Sequence, residues 1–203
     1  MLSTQIEVNV VLDFILSRRT CYQFLDKTTS PVKAEKIDLC IKAAISAPNH
    51  KLTQPWHFYV VGNEFTIKFA DIYADNRASK NSLLDKNCYD NFYTKAITKF
   101  LAIPKIVLVV QNLVEDEVIC QEDYAACSCA IQNFQLMAWS MNMGVQWSTG
   151  PIINDLRSYQ LLNLDPTKQR IIGALYMGNI DENCIPKSKA KRKSVNEVTD
   201  YLA

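Results

Sequence analysis

The chain has 203 residues, 48% of them hydrophobic, enough to bury one sizeable core. Its 22 basic and 21 acidic residues nearly cancel, so no long-range field draws it toward nucleic acid or an anionic membrane, and any anion site must be local. The N-terminus lacks the basic region, apolar run and cleavage site of a secretory signal, and no apolar stretch approaches the ~20 residues that span a bilayer, which predicts a soluble, cytoplasmic protein.

Ile6, Val10, Val11, Phe14 and Ile15 recur at helical spacing and predict a first amphipathic helix. Behind it comes "SRRT", Ser17 to Thr20, in which the arginines are either cations offsetting a helix dipole, by ~0.3–1 kcal/mol each, or part of an anion site. Ile37, Cys40, Ile41, Ala44 and Ile45 predict a second helix, closed by Pro48. The corner "ISAPNHKLTQPWHFYVVG", Ile45 to Gly62, then carries both histidines and leads into "WHFYVV", which with "PKIVLVV" and "RIIGALYMG" reads as one of three buried strands. Between Ala74 and Lys95 a polar stretch of weak periodicity is long for a plain connection, and a mobile flap over a site is expected there.

From Tyr124 to Met143 the chain is apolar on nearly every face, which predicts a central buried helix ended by Gly144 at C′. "QWSTG", Gln146 to Gly150, follows and precedes a helix opened by Pro151; Ser148 and Thr149 are either caps or hydroxyl donors to a ligand. "KSKAKRK", Lys187 to Lys193, has the composition of a solvated tail or a nuclear-localisation-like run. With no repeat, low-complexity tract or linker, residues 1–203 are expected to form one domain. Seven cysteines without C-x-x-C spacing predict reduced, mostly buried thiols, with Cys127 and Cys129 on different sides of their helix.

His50 and His57 are seven residues apart and have no further ligands at zinc spacing, so no metal is expected. The absence of G-x-S-x-G disfavours a serine hydrolase, and the absence of G-x-G-x-x-G disfavours a Rossmann dinucleotide site.

Taken in order, "SRRTCYQF", "SAPNHKLTQPWHFYVV", "DYAACSCAIQNFQLMAWSMNMGVQWSTG", "IIGALYMGN" and "KAKRKSVNEV" resemble the FMN-dependent nitroreductase family over nearly the whole chain, most of all its short bacterial branch of NAD(P)H nitroreductases. The resemblance implies an α+β fold, a central and mostly antiparallel sheet packed by helices, and a homodimer with FMN sites at its interface. It implies that Arg18, Arg19 and Thr20 contact the FMN phosphate and ribityl chain, and that Arg192 meets the phosphate. His50 and Gln54 would face the flavin from the other subunit, and Trp147, Ser148 and Thr149 would lie near the ring. One of the arginines, or Lys51, would supply the positive charge that favours reduced flavin.

Close relatives in the family have arginine where this chain has Ser148, some have arginine at Ser46, and many broader members have Asn at Leu52, so the set of FMN contacts is expected to be rearranged. The implied activity is ping-pong hydride transfer from NAD(P)H through FMN to a nitroaromatic, quinone or similar small acceptor, with no side-chain catalyst because the flavin carries the chemistry. The alternatives are a flavin-binding sensor or carrier without turnover, a same-fold flavin enzyme of different chemistry, and a helical interaction protein without cofactor.

Overall fold

The computed structural model describes residues 8–81, 86–181 and 191–202. Helices α1 (Val8–Ser17), α2 (Ala34–Ala44), α3 (Asn63–Asn81), α4 (Lys86–Leu101), α5 (Glu117–Ser140) and α6 (Leu156–Leu162) surround strands β1 (Trp56–Val60), β2 (Lys105–Asn112), β3 (Met143–Ser148) and β4 (Gln169–Asn179). The strands form one antiparallel sheet in the order β1-β2-β4-β3. Among the described residues no helix is long and apolar enough to cross a membrane.

Both faces of the sheet are covered, which is why β2 and β4 read as continuous apolar runs rather than alternating ones. Val107, Val109, Leu175 and Met177 point to α2 and α5, while Ile106, Leu108, Val110 and Tyr176 point to α3, α4 and the Pro151–Ile153 turn. The α5 face that meets the sheet repeats at helical spacing through Ala126, Cys127, Ala130, Ile131, Phe134 and Ala138. Asp116 caps this helix, accepting from the Val118 and Ile119 N–H groups at 2.9 and 3.0 Å. Cys127 is buried and Cys129 exposed, as their spacing predicts, and burial pushes the Cys40 and Cys127 thiols up to about 12.

Several expectations require correction. The central helix begins seven residues earlier than Tyr124, because the polar first turn hides it from a search for apolar periodicity. It does not end on Gly144: Asn142 takes the left-handed conformation, φ 57°, and Gly144 lies inside β3. That strand, "MGVQWS", was not foreseen, because its short polar-ended run follows the helix with only a two-residue turn. β1 is an edge strand that is only partly buried. The described part of the 74–95 segment is helical rather than a flap; α3 and α4 pack on each other, Ile72 and Phe100 sharing one core.

Charged groups lock that helical pair to α6. Arg157 bridges Asp155 and Asp75 at 2.7 Å each, Asn76 donates to Asp155 at 2.6 Å, and the Tyr89 hydroxyl donates to Asp75 at 2.6 Å. The Arg157 hydrogen bond holds Asp155 well below the usual carboxylate range, and the Tyr89 and Arg157 bonds lower Asp75. A carboxyl depressed in the folded state adds stability above its unfolded pKa, about 4, and loses it as pH falls toward the folded value. Chemical denaturation from pH 6 downward is therefore expected to show stability falling below about pH 4, with a shallower fall in Arg157→Gln. Equal slopes would remove this network from the acid response.

Candidate functional site

The end of α1 is anchored rather than frayed, with Trp139 Nε1 donating to Ser17 Oγ at 2.8 Å. Arg19 turns back on the helix, its Nη1 donating to the Leu16 and Arg18 carbonyls at 2.6 and 2.9 Å, so this arginine does satisfy helix-end acceptors. Its Nε is buried without a partner. Arg18 is half-buried; burial first, then the charges of Arg192 and Arg19, lower its pKa, although a guanidinium remains cationic at neutral pH. The chain ends thus bring Arg18, Arg19 and Arg192 together, and no ion pair among the described residues involves any of the three. Lys187 and Lys189 of the terminal basic run lie outside the described residues.

The next residue, Thr20, forms a parallel bridge with Val145 of β3, and Cys21 N donates to Val145 O at 3.3 Å. Gly144 permits this approach, because a Cβ there would lie 2.5 Å from Cys21 Cβ. β3 then directs alternate side chains apart. Trp147 packs on the α5 core and donates from Nε1 to the carbonyl of Ile172, the unpaired residue of a β-bulge in β4, at 3.3 Å. Gly173 lets the indole lie there, since a Cβ would meet Trp147 Nε1 at 2.2 Å.

Gln146 and Ser148 face the other way, into a cavity of about 650 Å³ also lined by Tyr22, Gly150, Tyr176 and Arg77. Ser148 Oγ accepts from Gly150 N at 3.2 Å, which is turn chemistry, and leaves room for a ligand bond. The Tyr176 hydroxyl is buried beside Ser148 without a well-formed hydrogen bond, and burial pushes its pKa up, so it is a neutral donor at physiological pH. Thr149 is exposed and lines a separate cavity of about 260 Å³ with Tyr124, Asn154 and Arg170. The two hydroxyls of "QWSTG" therefore serve different spaces.

His50 and Gln54 lie elsewhere. Their turn precedes β1, at the sheet edge opposite β3, and four strands place the edges roughly 14 Å apart. Lys51, Leu52 and Gln54 all have positive φ, 48°, 56° and 45°, a costly conformation for non-glycine residues, on the order of 1 kcal/mol or more each. The turn is held by Thr53 Oγ1 donating to the buried Asp123 at 2.6 Å and by Gln54 N donating to Asn49 Oδ1 at 3.0 Å. An Asn at position 52 would tolerate the left-handed region better than this 77% exposed leucine. Ser46 donates to the Ala43 carbonyl at 2.7 Å at the end of α2. The turn thus combines positive-φ backbone with exposed His50, Lys51 and Gln54 side chains.

Residues 15–179 match the model of the nitroreductase family. The chain belongs to that family. It is 33% identical over 179 residues to the Bacillus subtilis protein named "Putative NAD(P)H nitroreductase YfhC", covering 86% of each chain. It is 24% identical over 173 residues to Escherichia coli K12 YdjA, of the same description, covering 82% of this chain and 86% of that one. Among solved structures it resembles the nitroreductase-like protein of Bacillus cereus, with TM-score 0.79, 26% identity and coverage of 100% of this chain and 99% of that chain. A nitroreductase with bound FMN from Bacteroides fragilis shares the fold, with TM-score 0.65, 22% identity and coverage of 98% and 100%.

Of the residues lining the cavity beside Ser148, the sequence reading gave no role to Tyr22, Gln146, Tyr176 or Arg77. Tyr22 and Gln146 lie inside the quoted motifs, two residues beyond Thr20 and two before Ser148, but nothing in the motifs themselves marked them as lining a cavity. Arg77 reaches the cavity only through the packing of α3 against the sheet, for which no local signal exists.

Proposed function

We propose that the chain, residues 1–203 as one domain, is an FMN-dependent NAD(P)H oxidoreductase that works as a cytoplasmic homodimer. Its acceptors would be nitroaromatics, quinones or similar flat electron-poor molecules. Three arginines without a carboxylate partner among the described residues, tied through Thr20 and its bridge to Val145 to the strand whose Gln146 and Ser148 line the cavity, carry this conclusion. A near-dianionic phosphomonoester offsets the repulsion among such arginines, and guanidinium forks match its oxygens bidentately.

The donor set fits FMN. Arg18, Arg19, Thr20 and Arg192 would hold the phosphate and ribityl end, and Gln146, Ser148 and Tyr176 offer hydrogen bonds to the polar edge of the ring; Trp147 supports the strand from behind, and Thr149 closes the turn. When bound, FMN supplies hydride exchange from NAD(P)H to the acceptor in ping-pong order. The protein needs no acid or base for this: its arginines favour negative charge, and Tyr176 donates a hydrogen bond without giving up its proton.

The homodimer rests on two features. α1 buries none of its residues although Val10, Leu12 and Leu16 are all more than half exposed, and His50 and Gln54 stand at the wrong edge to reach their own subunit's cavity. A second copy supplies both a cover for α1 and the strained turn. Purified protein reconstituted with FMN is expected to run as a dimer, retain flavin absorbance, bleach promptly on anaerobic NADPH or NADH, and regain colour with a nitroaromatic or quinone. Flavin that binds but never bleaches would make the protein a carrier; no retained flavin would refute the site.

A further inference from the structure

The charges of the α3–α4 pair are sorted. Asp71 and Asp75 accept from Tyr93 and Tyr89, and Asp75 also pairs with Arg157. The other side carries Arg77 and Lys80, three apart on α3, and Lys95 and Lys99, four apart on α4. Together with Tyr73 and Phe92 they line a groove of about 340 Å³ with no carboxylate among the described residues of its wall. Among the described ion pairs none includes Lys80, Lys95 or Lys99. In a chain of net charge +1, three lysines outside every described ion pair, with Arg77 beside them, are a local field rather than a general property.

The groove is not isolated. Tyr73, Arg77 and Lys99 also line the larger cavity, in which the buried Tyr176 hydroxyl has no hydrogen-bond partner. The two spaces therefore adjoin along Tyr73, Arg77 and Lys99, the inner one polar beside Ser148 and the outer one cationic with two aromatic rings. With the inner space given to the flavin, a ligand matching the outer one carries a phosphate monoester on an aromatic nucleoside. Resting on the flavin reading above, we infer that this groove recognises the 2′-phosphate of the adenosine end of NADPH, and so gives the enzyme a preference for NADPH over NADH.

Adenosine 2′,5′-bisphosphate carries the discriminating phosphate and adenosine 5′-monophosphate does not, which makes them the probes for calorimetric titration of the purified protein. The bisphosphate is expected to bind at least tenfold more tightly at low salt, and the difference is expected to collapse both in Lys80→Ala/Lys95→Ala and at high salt. These lysines are exposed, so the double variant should retain the wild-type circular dichroism spectrum and flavin content. Equal affinities for the two nucleotides, or a difference untouched by the double substitution, would overturn the assignment. Flavin absorbance recorded on the same samples reports the flavin reading separately, since nucleotide binding is read without it. With flavin present, the ratio of NADPH to NADH reduction rates should fall at least tenfold in the double variant.

Discussion

Replacing Arg18 and Arg192 together by alanine is expected to weaken FMN binding on the order of 10³-fold, taking about 1.5–3 kcal/mol for each charge-assisted contact. Fluorescence titration of FMN into the stripped protein measures this directly, and each single variant should lie in the ten- to hundredfold range. Neighbouring arginines couple, so the double loss should depart from the sum of the single ones. The sign of a second readout separates binding from structure. In the cofactor-free protein Arg18 is opposed by Arg192 and by its own burial, so the double variant should unfold at the same temperature as wild type or higher. Unchanged FMN affinity would show that the arginine group holds something else, and a large loss of cofactor-free stability would show it to be structural.

Gly144→Ala is expected to be strongly destabilising. The added Cβ would sit 2.5 Å from Cys21 Cβ, 2.6 Å from Ile180 Cγ2 and 2.7 Å from Cys21 Sγ, and a Cβ cannot move without its backbone. Such overpacking costs about 1–3 kcal/mol, or roughly 2–12 °C in melting temperature for a chain of this size. The same displacement separates Thr20 from Val145 and carries the arginines with it, so FMN affinity should fall alongside stability. Cys21→Ala should not rescue the variant, because the shortest contact is to Cβ; Cys21→Gly should rescue it in part. A melting temperature within a degree of wild type would mean that the segment from Arg18 to Cys21 is not seated on β3.

The helices that bury one stripe were legible, because α2 and α5 carry their periodicity in the residues themselves; β2 and β4 were legible because burial on both faces leaves them uniformly apolar. α3 and α4 were not. Their long polar faces, including the four cations, dilute the apolar rows that pack them, and only the pairing of Asp75 with Tyr89 and Arg157 reveals which sides face each other. At the site, "SRRT" and "QWSTG" stood out as motifs, but the bridge that joins them spans 125 positions and depends on a glycine with no local signature. The positive φ angles at Lys51, Leu52 and Gln54 were hidden for a different reason: none is glycine, and it is Asp123, 70 positions from Thr53, that holds the turn.

The uncovered α1 ties the cofactor site to mass action. A ten-residue helix is marginal on its own in water, and this one gains no burial from its own subunit, so in the proposed dimer it would be held by the partner. Because Arg18 and Arg19 follow directly from its last turn, dilution below the dimer dissociation constant should loosen the arginines and release flavin together. Apparent FMN affinity and melting temperature should then both rise with protein concentration, as they do when association stabilises the native state, making subunit concentration itself a control on how much enzyme is loaded.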